Sequence, residues 1–298
     1  MNRFESGLFL YNGNKKEEAE QSLQQALPVL AKAIGSLHVV QTASLEELHE
    51  MCKTYASEVD VIIILGGDGT VHECLNAIGG LKKRPAVGIL PGGTCNDFSR
   101  MLGMQQNVRQ AAEAIVNGQI RSVDVGLSDS KYFLNFWGIG LVAEASINID
   151  KAQKRRLGVL SYFLSTLRSI NQAEPFAYRI KADGKEMEGE AVLIVALNGK
   201  YIGTREIPVS TISPEDGKLD LLVVKNSSLA MFRELMMMNQ EAVETDALTE
   251  LSYLQVTQAE IEVKGEDERR VDMDGEIDGS VPAHVQILPS HVQMIFNE

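Results

Sequence analysis

Val61-Ile62-Ile63-Ile64-Leu65-Gly66-Gly67-Asp68-Gly69-Thr70-Val71-His72-Glu73 is an apolar run that ends abruptly in glycines, an aspartate and a threonine. Its β-branched first half shows no polar alternation, which predicts a strand buried on both faces of a parallel sheet. Val71, Cys74, Leu75 and Ile78 then recur at helical spacing, so the stretch reads as strand, glycine turn, helix. Asp68 or Thr70 is placed to cap the first free amides of that helix. Glycines let backbone N–H groups approach a ligand, and a helix N-terminus favours negative charge, so the turn can cradle a phosphate. An acid inside such a turn repels phosphate unless a cation lies between them, and Asp68 therefore points to a nucleotide with Mg²⁺. Taken alone, the Gly-Gly-Asp-Gly run is equally ordinary turn chemistry.

The same pattern recurs in the next unit of sequence. Ala86 to Leu90 is a second apolar strand, and Pro91-Gly92-Gly93-Thr94-Cys95-Asn96-Asp97-Phe98 is a second glycine turn leading into a helix. Ligands of open α/β sheets bind at the carboxyl ends of the strands, so both turns can face one ligand.

Together with Val123-Asp124-Val125-Gly126, Pro214-Glu215-Asp216-Gly217-Lys218-Leu219-Asp220-Leu221 and Met273-Asp274-Gly275-Glu276, these turns carry a resemblance that spans nearly the whole chain. The sequence resembles the diacylglycerol kinase catalytic-domain family, which includes bacterial soluble lipid kinases and the sphingosine and ceramide kinases. That resemblance implies an α/β plus β architecture: a Rossmann-like α/β nucleotide-binding domain over residues 1–123 and an antiparallel β-rich sandwich over 124–298, the extreme C-terminus returning to the first domain. It implies an ATP-dependent lipid kinase that moves the γ-phosphoryl group to a hydroxyl of diacylglycerol or a related lipid in an interdomain cleft. Cytoplasmic location, peripheral membrane contact and a homodimer fit the same picture. An NAD kinase-like enzyme, which shares the first turn, and a catalytically silent nucleotide-binding regulator are the alternatives.

Residue by residue, the resemblance assigns the nucleotide to Thr42, Gly66, Gly67, Asp68, Gly69, Thr70, Val71, His72, Glu73, Gly93 and Thr94. Asp68 and Asp124 would hold a catalytic Mg²⁺ through water. Ser213, Asp216 and Lys218 would form a structural Mg²⁺ loop, the lysine through its backbone carbonyl because an ammonium cannot bind a cation. After the first strand the family's Asn-Pro-x-Ser-Gly turn survives here only as Asn12, which leaves Gly13 and Asn14 without an assigned phosphate contact. Lys15 either reaches a phosphate or is solvated. Thr42 sits where the family has a threonine near the adenine, and an N-cap or turn hydroxyl explains it equally well.

The 298 residues, 44% hydrophobic and 23% charged, suffice for one large or two ordinary globular domains. Cys52, Cys74 and Cys95 are too few and too scattered for a disulfide framework or a zinc site, which fits a reducing cytoplasm. The amino terminus lacks the basic and apolar regions of a signal peptide. Leu157 to Ile170 is shorter than the ~20 residues that span a bilayer. A net charge of −13 argues against nucleic acid and restricts membrane contact to local patches. One such patch is Lys151, Lys154, Arg155 and Arg156 beside an apolar helical face, although most amphipathic helices simply face a core. Met236, Met237 and Met238 can line a lipid pocket or plain core.

Strand-helix alternation covers Gly7–Tyr11, the helix to Leu30, Leu37–Gln41, Leu45–Tyr55 and the helix ending at Asn117-Gly118. Beyond Ile120 the runs are strand-like: Tyr132–Trp137, Tyr178–Ala182, Ala191–Leu197, Leu219–Val224, Leu251–Val256, Ile261–Lys264 and Ala283–Leu288, with turns at Asp183-Gly184 and Asp216-Gly217. Between Val271 and Gly279 four acids alternate with small or apolar residues. Read as one strand, this places Asp272, Asp274 and Glu276 on a single face, where crowding favours a proton acceptor; the bland reading is a solvated acidic hairpin. The resemblance selects Asp274 and Glu276, one to activate the lipid hydroxyl and the other to orient it; Glu276 is the favoured acceptor, Asp274 the alternative, and Asp68 the base if neither serves.

Overall fold

The computed structural model describes residues 2–13, 16–141, 143, 175–226, 228–239, 248–265 and 269–297. Lys15 and the basic-apolar segment 151–170 lie outside the described residues. The chain divides into two compact units, Met1–Val123 with Ser290–Glu298, and Asp124–Pro289.

In the first unit, strands alternate with helices: β1 (Phe4–Asn12), α1 (Lys16–Leu30), β2 (Ile34–Thr42), α2 (Leu45–Tyr55), β3 (Val61–Gly66), α3 (Asp68–Ile78), β4 (Ala86–Pro91), α4 (Asp97–Met101) and α5 (Val108–Asn117). The strands are parallel in the order β2-β1-β3-β4. Val61 to Ile64 are wholly buried in β3, as an unbroken β-branched run in an interior strand requires. The residues that return from the end of the chain complete this sheet. Met294 pairs in parallel with Val87, the Asn297 amide donates to the Leu102 carbonyl at 3.0 Å, and the Arg121 guanidinium lies 4.3 Å from the centre of the Phe296 ring.

The second unit begins within β5 (Gln119–Ser128) and continues through β6 (Lys131–Phe133), β7 (Phe136–Gly140), β8 (Phe176–Ala182), β9 (Lys185–Ala191), β10 (Leu193–Leu197), β11 (Tyr201–Ile202), β12 (Arg205–Glu206), β13 (Leu219–Val224), α6 (Leu229–Met237), β14 (Leu251–Val256), β15 (Gln258–Val263), β16 (Arg270–Met273), β17 (Glu276–Ser280) and β18 (Ala283–Phe296). One antiparallel sheet runs β14-β13-β10-β7-β16-β17, and in another β15 lies between β18 and β8 with β9 beyond. Trp137, Ile194 and Leu221 from the first share a core with Tyr178, Ile261 and Val285 from the second. The opposite face of the first sheet is covered by Ile207, Val209, Ile212 and Met231.

Three local expectations are corrected. Tyr132–Trp137 is not one strand, because the chain bends at Leu134 and Asn135 between β6 and β7. The acids of 271–279 do not share a pleat: Asp274 and Gly275, at φ 57° and 91°, form the two-residue turn of a hairpin in which Met273 pairs with Glu276. Positive φ at both central positions is the geometry that matches the strand twist of a tight hairpin, and Asp-Gly is its commonest sequence. The methionine run divides, with Met238 buried and Met236 and Met237 exposed. No helix among the described residues is long and apolar enough to cross a membrane.

Glu234 fastens α6 to the second unit. Its carboxylate accepts the amides of Thr249, Glu250 and Leu251 at 2.9–3.0 Å and the Thr249 hydroxyl at 2.7 Å. Burial pushes the carboxyl up, but these hydrogen bonds outweigh it and hold the group below its ordinary value. A lowered folded-state pKa contributes stability above the unfolded value of ~4.3, and that contribution disappears as the pH falls through the lowered value. Glu234→Gln is therefore expected to melt below the parent at pH 7, with the gap closing under acid conditions, as measured by thermal scans across pH.

Candidate active site

The two glycine turns lie at the ends of neighbouring parallel strands and touch through their backbones. A Cβ built on Gly93 would stand 2.4 Å from the Gly67 Cα, and one on Gly67 would stand 2.9 Å from the Gly93 Cα. No other residue fits that approach. The Gly92 amide donates to the Gly66 carbonyl at 2.9 Å, which continues the β3–β4 ladder into the turns.

Asp68 joins the two turns. Gly67 is the N-cap of α3, and Asp68 Oδ1 accepts the amides of Asp97 at 2.6 Å and Phe98 at 3.4 Å. This oxygen thus caps α4, the helix of the second turn. The Thr70 side chain lies 2.6 Å from the position of a Gly66 Cβ. Asn96 holds the second turn from within. It adopts a left-handed φ of 53°, which asparagine tolerates; its Oδ1 accepts the Gly93 amide at 2.8 Å and its Nδ2 donates to the Gly93 carbonyl at 3.1 Å. Asp68, Cys95 and Asp97 each bring one donor atom within 4.8 Å of the others. The two carboxylates suit a hard cation such as Mg²⁺, whereas the thiol does not.

The remaining assigned residues of this unit divide by exposure. Gly93 and Thr94 are exposed, Gly66, Gly67, Gly69 and Thr70 are half-buried, and Val71 and His72 are buried. The Glu73 carboxylate is engaged by Nδ1 of His49 on α2, a partner that no local signal in the sequence selects. Thr42 is buried, and its hydroxyl donates to the Tyr11 carbonyl at 3.3 Å. The cap of α2 is instead Ser44, whose Oγ accepts the Glu47 amide at 3.2 Å.

In the second unit Asp124 is buried and fixed to the loop that contains Ser213, Asp216 and Lys218. Its amide donates to the Pro214 carbonyl at 2.7 Å, and its Oδ2 accepts the Gly217 amide at 2.6 Å. Asp216 accepts the Lys218 amide at 3.0 Å and the Gln255 Nε2 at 3.3 Å. Burial first, and the Asp124 charge as well, push the Asp216 carboxyl above its ordinary value. Asp220 is buried and raised for the same kinds of reason, burial and then the charge of Asp216, and its Oδ2 has no hydrogen-bond partner among the described residues. Three neighbouring acids and an orphaned carboxylate oxygen fit a loop that takes a divalent cation through oxygen. The Ser213 hydroxyl oxygen accepts the Glu215 amide at 3.3 Å.

Asp274 and Glu276 occupy opposite environments. The Asp274 carboxylate is buried and accepts three consecutive amides, Leu134 at 2.8 Å on Oδ2, and Asn135 at 2.7 Å and Phe136 at 3.1 Å on Oδ1. The bend between β6 and β7 is this cradle. Asp272 is buried too, with Oδ1 accepting the Gly275 amide at 2.8 Å. Glu276 is exposed, with no hydrogen-bond or ion-pair partner among the described residues. A carboxylate filled with backbone donors is a structural anchor, and a free one is available to take a proton.

Gly93→Ala tests the close approach of the turns. The added methyl meets backbone, which costs about 1–3 kcal/mol as overpacking, so a lowered melting temperature and a loss of ATP affinity by calorimetry are expected; parent-like melting and binding would show that the turns tolerate separation.

Known proteins match both parts of the chain. Residues 6–128 match the diacylglycerol kinase catalytic domain, and residues 138–296 match the YegS C-terminal NAD kinase beta sandwich-like domain. A solved structure titled as a diacylglycerol kinase from Bacillus anthracis str. Sterne superposes with a TM-score of 0.82 at 32% identity, covering 100% of this chain and 98% of its own. A second solved structure from that organism, provisionally designated a diacylglycerol kinase, gives 0.89 at 38% identity, with coverage of 100% and 97%. A Staphylococcus carnosus protein provisionally designated a lipid kinase is 34% identical over 237 residues, 80% of this chain and 77% of its own. By these matches the chain belongs to the diacylglycerol kinase catalytic-domain family of lipid kinases.

Proposed function

We propose that this chain transfers the γ-phosphoryl group of ATP to a hydroxyl of a diacylglycerol-type lipid. The observation that supports it best is the Asp68 carboxylate bonded across two glycine turns that touch at Gly67 and Gly93. Free amides at the start of a helix and glycine backbones suit the nucleotide phosphates, and the Asp68 carboxylate suits the Mg²⁺ that accompanies them. When bound, Mg²⁺ neutralises charge on the phosphates and orients them. Gly66 to Thr70, Gly93 and Thr94 would bind the phosphates, with Glu73 and Thr42 nearer the rest of the nucleotide. Asp124 would contribute to holding Mg²⁺, and Ser213, Asp216 and the Lys218 carbonyl would hold a structural cation.

Glu276 is the residue we assign as proton acceptor. Its free, exposed carboxylate would take the proton of the lipid hydroxyl as that oxygen attacks phosphorus. Asp274 is assigned as the positioning residue that fixes the hairpin. The lipid would come from a bilayer, and the exposed Leu229, Met236 and Met237 of α6 offer apolar side chains for peripheral contact.

Incubation with γ-labelled ATP, Mg²⁺ and vesicles containing diacylglycerol, phosphatidylglycerol or sphingosine, with soluble NAD as a parallel arm, tests the reading. Label on diacylglycerol that disappears on chelation is expected. Label on NAD alone, or on nothing, would overturn it. Asp68→Asn keeps the acceptor oxygen for α4 but removes the charge, so turnover should collapse while melting changes little. Glu276→Gln should cost about a hundredfold or more in turnover with the fold intact, whereas Asp274→Asn should lower stability as well as turnover. Turnover in Glu276→Gln equal to the parent's would place the base elsewhere, with Asp68 next in line.

A further inference from the structure

The second unit contains a buried side chain to which neither the motifs nor the comparisons give a role. Asn198 follows β10 and is fully buried. Its Nδ2 donates to two carbonyls, Leu134 at 2.7 Å and Asp124 at 3.1 Å, and its backbone amide donates to Asn135 O at 2.8 Å. Each of those residues leads on to an acid. Asp124 is bonded to the 214–217 loop through the Pro214 carbonyl and the Gly217 amide. Leu134 and Asn135 give their amides to the Asp274 carboxylate. A continuous hydrogen-bonded path therefore runs from the loop, through Asp124, Asn198 and the bend at 134–136, to the hairpin turn immediately before Glu276. Both protons of one planar amide are committed to the two halves of that path, so neither carbonyl can shift without turning the other's donor.

Packing does not account for this asparagine. The Oδ1 atoms of Asn198 and Asn135 are both buried and accept no hydrogen bond from the described residues, an arrangement that native interiors avoid. The Asn135 oxygen lies only 2.2 Å from the position of a Cβ on Gly199, so the polar group is seated where the chain gives up a side chain. An apolar residue of similar volume would fill the site without the two unused acceptors, but it could not donate to Leu134 and Asp124 together.

We propose that Asn198 is a positioning residue that couples cation binding at the 213–218 loop to the cradle of Asp274, and through it to the placement of Glu276. The coupling rests on the cation assignment made under Proposed function but not on the identity of the lipid. Order imposed on the loop holds Asp124. Asp124 and Asn198 then hold the 134–136 bend, whose three amides set the hairpin.

The test uses the full chain without nucleotide or lipid, so that catalysis plays no part. Hydrogen exchange by mass spectrometry is measured with and without MgCl₂, alongside the emission of Trp137, the only tryptophan, which follows Phe136 of the cradle and pairs with Met273 beside Asp274. In the parent, Mg²⁺ should slow exchange both at 214–218 and at 134–136, by about fivefold or more at the bend, the lower end of ordinary coupling, and should shift the Trp137 emission. Asn198→Ala, and Asn198→Leu, which keeps a similar volume but lacks the donor protons, should retain the protection at 214–218 while losing both responses at the bend. The asparagine-to-leucine variant keeps the experiment decisive if the alanine variant does not fold. Loop protection in the parent without any response at 134–136, or a bend response that survives in either variant, would overturn the coupling alone. No Mg²⁺ effect at 214–218 would overturn the cation assignment and the coupling with it, whichever lipid or nucleotide the enzyme turns over.

Discussion

Neighbouring strands of a sheet lie ~4.8 Å apart, and the turns that leave β3 and β4 at the same end must therefore pass each other at contact distance. Gly67 and Gly93 are the residues at that contact. Everything described for the first unit follows from it. With the two backbones this close, a carboxylate on one turn reaches the amides of the other, and Asp68 does so. The result is one joined pair of backbone turns built from two segments separated in sequence.

A division of labour among the acids runs through both units. Asp68, Asp124 and Asp274 each accept amides from a segment far along the chain, so each spends part of its charge on architecture. A charge-assisted bond to backbone is among the stronger hydrogen bonds available, and it fixes a carboxylate far better than solvent does. Glu276 is the contrast, exposed and free among the described residues. Chemistry that needs a rigid frame and one mobile proton acceptor is served by such an arrangement. Acids that bind the frame tolerate little change in shape, whereas the acceptor tolerates none in basicity.

Much of this was legible in the sequence and some was not. The buried strands β3 and β4, the glycine turns and the β-rich second half were readable because apolar periodicity and glycine placement are local signals. The bonds that fix the acids are not local. Asp274 and Leu134 are 140 residues apart, and Asp124 and Gly217 are 93 apart, so no window of sequence contains both partners. Asn198 and His49 were passed over for the same reason. The hairpin at Asp274-Gly275 was legible only as the alternative to a single strand. The Asp-Gly pair is a strong turn signal, but alternating acids imitate the period of a strand, and the resemblance drew attention to charge rather than to backbone conformation. The bond from Asp68 to the amide of Asp97 was not legible either, because a neighbouring strand's helix start is invisible from one turn.

The return of residues 290–297 to the first sheet has a consequence for biosynthesis. While the chain is still on the ribosome, residues 1–123 can fold only with β4 as an open edge, because its partner around Met294 has not been translated. At ordinary elongation speeds the delay is on the order of ten seconds. An uncovered edge strand invites pairing with other nascent chains, so the interval is one in which chaperones would be expected to engage. A message truncated anywhere in the second unit would yield a product in which β4 keeps that open edge.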